Sequence, residues 1–128
     1  MKTKSTAGIK VSVESLYQAN ESHPLASYYF FAYRITIANA SDYIVQLKKR
    51  HWYIFDSIGI KREVEGDGVI GEQPILVPGQ SYQYVSGCNL TTAMGKMHGT
   101  YLMEREFDGK LFNVKIPEFL MIVPCKLN

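Results

Sequence analysis

The chain has 128 residues, 46% of them apolar and 12% aromatic, with a formal net charge of +2. That length fits one domain able to bury about two-thirds of its unfolded surface around a single core, so no disulfide or metal staple is required. The small charge and the dispersed Lys and Arg exclude the basic stripe of a dedicated nucleic-acid binder, and no apolar run is long enough for a signal-peptide core or a membrane span.

Met1-Lys2-Thr3-Lys4-Ser5-Thr6 is polar and reads as an N-terminal tail of about residues 1–7 on a single domain spanning 1–128. Ile9-Lys10-Val11-Ser12-Val13 alternates apolar and polar residues, the period of a half-buried strand. Asn20 to Leu25 is rich in turn formers, and His23 is biased to extended backbone because it precedes Pro24, which predicts a loop. From Tyr28 to Asn39 the odd positions Tyr29, Phe31, Tyr33, Ile35 and Ile37 are large and apolar, so one face of this strand is core and the other solvent. Asn39-Ala40-Ser41-Asp42 then supplies turn chemistry.

The next strand starts with Val45 and Leu47 on one phase and continues with Trp52 and Ile54 on the other. A β-bulge near Lys48-Lys49-Arg50 restores the inward phase and re-aims Arg50. Trp52 is assigned to the core, and the charged run Lys48-Lys49-Arg50-His51 reads as a strand edge that discourages aggregation. Gly59 marks a turn, Lys61 to Glu65 a short exposed edge strand, and Pro78-Gly79 a further turn. Tyr82 and Tyr84 share one side of the following strand, and Asn89 to Thr92 reads as a loop. Met97, Gly99, Tyr101 and Met103 form one face of the next strand. Asp108-Gly109 predicts a two-residue primed hairpin turn; Phe112, Val114 and Ile116 face inward after it, and Pro117 is expected to end regular pairing.

About seven or more antiparallel strands, with frequent turns and no helix-length amphipathic window, predict an all-β sandwich of immunoglobulin or fibronectin type III-like character. The chain lacks the Cys…Trp…Cys pattern of antibody-type domains. Cys88 and Cys125 also lack CxxC spacing, and they read as inert thiols in a reducing, cytoplasmic setting.

The glycine-rich stretch Gly66-Asp67-Gly68-Val69-Ile70-Gly71 matches the dinucleotide fingerprint as a string, but Glu72-Gln73-Pro74 and Pro78-Gly79 leave no room for the helix that fingerprint needs. Two readings remain. In one, the glycines permit unusual backbone in a wide connection with Val69 and Ile70 tucked beneath as plugs. In the other, backbone amides form an anion nest assisted by Arg50, Lys61 or Arg62, although Glu65, Asp67 and Glu72 crowd negative charge beside it. Asp67 and Glu72 could instead hold a divalent cation, without matching a known loop spacing. His23, His51 and His98 lack zinc spacing, and Ser86-Gly87-Cys88 has neither a nucleophile elbow nor an identifiable base, so no catalytic residue and no enzymatic activity are predicted.

Arg50-x-Trp52 at a strand start, then Gly66-x-Gly68-x-x-Gly71-Glu72-Gln73-Pro74, with Pro78-Gly79, Ser86-Gly87, Gly95 and Ile116-Pro117 in order, resembles the ApaG family, also called CorD, from about Val11 to Phe119. The turn at Phe55 to Gly59 departs from the family, which usually has a more polar residue at position 58. The resemblance implies a fibronectin-like sandwich and an association with cobalt and magnesium homeostasis. Related domains occur in an F-box protein and a polymerase-interacting protein, where they look like recognition modules. Family members also often sit beside a gene for a diadenosine polyphosphate hydrolase. The expectation is a non-enzymatic binding module that needs no cofactor and recognises a protein partner or ligand through Arg50, Gly66, Asp67, Gly68, Gly71 and Glu72. The alternative is a phosphate- or nucleotide-binding protein, or a weak phosphoester enzyme, using the same loop with Arg50, Lys61 and Arg62. Edge strands are compatible with a monomer or a weak homodimer.

Overall fold

Residues that alternate between apolar and polar can satisfy both solvent and core only by forming sheets packed on one face. The computed structural model describes residues 1–124; the expectation for Cys125 lies outside them. Nine strands follow in order: β1 (Lys2–Thr6), β2 (Ile9–Tyr17), β3 (Tyr29–Asn39), β4 (Val45–Asp56), β5 (Lys61–Asp67), β6 (Ile75–Leu76), β7 (Ser81–Leu90), β8 (Met94–Arg105) and β9 (Leu111–Ile122). One sheet has the order β1-β2-β3-β7, and the other β5-β4-β8-β9 with β6 also paired to β4. Every pairing is antiparallel, and β1 and β2 lie against β9, which closes one side of an all-β sandwich. Two short 3-10 turns, Ala19–Glu21 and Pro24–Ala26, fill the expected loop. No helix among the described residues is long and apolar enough to cross a membrane.

The inward faces are those the alternation requires. Ile9, Val11, Val13, Phe31, Tyr33, Ile35 and Ile37 from one sheet meet Trp52, Ile54, Met97, Tyr101, Met103, Val114 and Ile116 from the other, all buried. Trp52 packs edge-on to Tyr33 and Phe119, with ring centroids 5.4 and 6.0 Å away. Deep in the core the hydroxyls of Tyr84 and Tyr101 lie 2.5 Å apart, so each phenol finds its polar partner in the other.

Several local expectations are corrected. The supposed tail is strand β1, paired with β2, because Ala7 and Gly8 both take positive φ and reverse the chain between Thr6 and Ile9. Asp108-Gly109 sits instead in a wider connection: Arg105 N–H bonds to the Lys110 carbonyl, and the Asp108 carboxylate accepts from Arg105 Nε (2.9 Å) and the Lys110 amide (3.1 Å). The Arg105 guanidinium, with the Lys110 amide, holds the Asp108 carboxyl down to about 2. Asn89 and Leu90 belong to β7. Pro117 does not end β9, which runs on to Ile122. The β8–β9 register shifts between Met97 and Gly99, so the proline, lacking an N–H, sits at a bulge where the ladder needs no donor.

Asn39 anchors the corner before β4. Only 1% exposed, it donates from Nδ2 to the Tyr43 carbonyl (2.8 Å) and the Leu76 carbonyl (2.9 Å), and its Oδ1 accepts from the Ser41 amide (3.0 Å) and hydroxyl (2.6 Å). Truncation would strand these groups, so Asn39→Ala should lower the unfolding free energy by about 2–3 kcal/mol in urea denaturation.

Candidate functional site

The bulge expected in β4 is present: its register against β8 shifts between Leu47 and Lys49, leaving Lys48 as the extra residue. Beyond it Trp52 and Ile54 face inward, and Arg50 shares their phase. A bulge frees backbone groups that must find other partners. The Lys48 carbonyl accepts from the Gly68 amide (2.8 Å) and from Gln73 Nε2 (2.9 Å), while the Leu47 amide donates to the Pro74 carbonyl (3.0 Å). The glycine loop therefore runs from β5 to β6 along one edge of β4 and is stitched to the bulge. Arg50-x-Trp52 and the glycine motif are two halves of one structural unit.

Arg50 completes that unit. Its Nη1 donates to the carbonyls of Asp67 and Gly68, both at 3.1 Å, and a Cβ at Gly66 would come within 2.7 Å of the same nitrogen. At Gly68, with φ +62°, a Cβ would lie 2.1 Å from the Glu72 carbonyl oxygen. Val69 and Glu72 exchange both backbone hydrogen bonds (2.8 and 2.9 Å), with Ile70 (φ +48°) and Gly71 (φ +73°) between them in the manner of a primed hairpin turn. Val69 is the plug, fully buried. Ile70 is not, for it stands 60% exposed at the loop tip, because its left-handed backbone turns the side chain away from the core.

This geometry bears directly on the anion-nest reading. The Gly68 amide is taken by the Lys48 carbonyl of β4, the Val69 and Glu72 amides by each other's carbonyls, and Arg50 meets carbonyl oxygens of the loop. The other two cations are elsewhere. Lys61 pairs with Phe55 at the far end of β5. Arg62 reaches across the sandwich to β7, donating from Nη2 to the Asn89 carbonyl and lying 3.5 Å from Cys88 Sγ. Arg50 and Arg62 meet in a different place, a cleft of about 190 Å³ between the sheets, also lined by Tyr33, Trp52, Ser86 and Cys88. Burial pushes the Tyr33 hydroxyl up, although Ser86 offsets part of this, and burial also raises the Cys88 thiol despite Arg62 beside it. Both groups are therefore protonated near neutral pH, and neither is an activated nucleophile or base.

On the opposite, outward face, His51 Nε2 lies 3.0 Å from Glu63 and Nδ1 lies 3.3 Å from Glu65. These three residues bring ligand-type atoms within 4.8 Å of one another, whereas Asp67 and Glu72 stand exposed at the two ends of the loop. Sequence reasoning missed the cluster because it depends on register: β4–β5 pairing sets His51 opposite Glu65 and Tyr53 opposite Glu63. An imidazole with two carboxylates suits a transition ion better than magnesium, which prefers oxygen ligands. Here each ring nitrogen faces its own carboxylate, an arrangement that already clamps β4 to β5 across the strands.

Comparison with known proteins agrees with the motif order. A family model described as the ApaG domain matches residues 19–105. Protein ApaG of Brucella anthropi is 51% identical over 119 residues, covering 93% of this chain and 91% of that protein, and Protein ApaG of Brucella canis is 50% identical over the same shares. A crystal structure of a Bordetella pertussis protein named ApaA superposes with a TM-score of 0.88 at 42% identity, covering 92% of this chain and 95% of the other. With a bulge-and-glycine unit that joins Arg50-x-Trp52 to the stretch from Gly66 to Pro74, and with relatives matched over nearly their full length, this chain belongs to the ApaG domain family.

Proposed function

We propose that the chain is a non-enzymatic recognition module whose glycine loop presents a rigid tip to a protein partner. The observation that supports this reading is Ile70. A β-branched residue at positive φ is unfavourable, and Asn or Gly would suit that turn position better. Yet an isoleucine is held there, exposed, on a loop braced by Arg50 and flanked by the exposed carboxylates Asp67 and Glu72. An apolar anchor between two acids fits a shallow apolar pocket with a basic rim. The protonated Cys88 and Tyr33 agree with a module that performs no chemistry of its own.

Two consequences separate recognition from stability. Ile70→Asn should raise the unfolding free energy by about 1 kcal/mol, because a residue tolerant of left-handed backbone replaces one that is strained there. A photo-crosslinking residue at position 70, expressed in the native host, should capture one discrete protein, and the same residue at the exposed Phe107 should not. The captured protein, once purified, should bind the wild type and lose affinity for Ile70→Asn and Asp67→Lys. Equal capture at both positions, or binding unchanged in Asp67→Lys and Ile70→Asn, would remove the loop as the recognition surface.

A further inference from the structure

The chain's arginines are Arg34, Arg50, Arg62 and Arg105. Arg34 pairs with Glu14 and Arg105 with Asp108, whereas Arg50 and Arg62 have no carboxylate partner among the described residues. Among the described residues those two are also the cations that line the inter-sheet cleft, and no Asp or Glu contributes to its lining. Arg50 and Arg62 satisfy some of their N–H groups with the carbonyls of Asp67, Gly68 and Asn89. A carbonyl answers a donor but does not neutralise a permanent cation, and a guanidinium stays charged at any physiological pH. Two like charges, from half-buried Arg50 and exposed Arg62, face one partly enclosed space that apolar Trp52, Ile54 and Met97 also line, and together they attract a negative charge more strongly than either would alone.

From this we infer that the cleft between β5 and β7 is a binding site for a small oxyanion with an apolar body. The anionic end lies between Arg50 and Arg62, within reach of the Ser86 hydroxyl, and the body rests on Trp52. The two sheets supply complementary parts of the site: β4 and β5 provide both guanidiniums, and β3 and β7 provide Tyr33 and Ser86. The open side of the sandwich, opposite the side closed by β1, β2 and β9, is its entrance. The chemistry common to a carboxylate and a phosphate monoester, two or more oxygens presented to an arginine fork, is what the cleft recognises. The inference does not rest on the loop-tip reading: Ile70 is not among the residues lining the cleft, and Arg50, which braces the loop, is the residue the two share.

Trp52 is the only tryptophan, so its emission reports on the cleft alone. Cyclohexanecarboxylate, phenyl phosphate and inorganic phosphate are titrated in turn, with Trp52 fluorescence and the amide resonances of Ser86 to Asn89 as readouts. At least one of the two organic anions should saturate both signals. Whichever does so identifies the oxyanion as carboxylate or phosphate, and inorganic phosphate should bind roughly tenfold more weakly or worse, since it leaves the apolar floor uncovered. Arg62→Gln, on an exposed edge strand where folding is preserved, should weaken that binding roughly tenfold or more through loss of a charged hydrogen-bond donor. Flat titrations with both organic anions would overturn the assignment. So would inorganic phosphate binding as tightly as phenyl phosphate, or an affinity unchanged in a folded Arg62→Gln.

Discussion

Gly99→Ala should leave the protein largely insoluble, or destabilise it by about 3 kcal/mol or more if it can be purified. Gly99 lies just past the β9 bulge at Pro117 and sits between β4 and β9 in the middle of the sheet. A Cβ there would fall 2.1 Å from the His51 carbonyl oxygen and 3.2 Å from the Trp52 Cα. Both obstacles are backbone of a strand paired on both its edges, so neither a rotamer change nor a small side-chain shift can relieve the contact. Gly71→Ala provides the contrast, because nothing lies within 4 Å of a Cβ there and its cost is limited to left-handed backbone. Urea denaturation of the two variants separates the cases, and equal midpoints would show that the sheet at Gly99 relaxes where this account holds it rigid.

Asp56→Asn should cost about 2–3 kcal/mol at neutral pH, and the difference from wild type should disappear in acid. Asp56 ends β4 and is buried, yet its carboxylate accepts from the Thr91 amide and hydroxyl (2.7 Å each), the Thr92 hydroxyl and the Ser57 amide (3.1 Å). Burial alone would raise its pKa, but these donors outweigh burial and hold the group below the ordinary carboxylate range. A depressed folded-state value means that the contribution is complete above the unfolded value of about 4 and is lost as pH falls through the folded one. Denaturation at pH 7 and again near pH 3 should therefore show a gap between wild type and variant that narrows in acid. A gap of the same size at both values would mean that the ionised carboxylate is not what the turn requires.

The effect of Asp56 illustrates where sequence reading reaches its limit. Asp56 looks like an ordinary strand-end residue until β7 and β8 bring Thr91 and Thr92 to it from 35 residues away. The His51 clamp is similar, since Glu63 and Glu65 reach opposite sides of one imidazole only because of the β4–β5 register. The bulge, by contrast, was legible from a change of phase between Leu47 and Trp52, because a strand with one buried face cannot change phase without an extra residue. The glycine loop lies between these cases. Its spacing predicted special backbone, and Gly68 and Gly71 have positive φ; Gly66 does not, and serves instead to let a guanidinium lie against the chain.

Local chemistry was therefore sufficient for seven of the nine strands, though not for β1 or the two-residue β6, and for most of the turns, the sandwich and the family motifs, since alternation and turn residues act over a few positions and leave their pattern in the chain. Only the tertiary structure decided that Arg50 braces the glycine loop from within, that Arg62 leaves that loop for β7, and that these two cations, without a carboxylate partner among the described residues, face one cleft between the sheets. Those facts depend on which strand lies beside which, and on which face a bulge turns inward. Pairing between distant segments is selected by the burial of the whole core, so no short stretch of sequence records it.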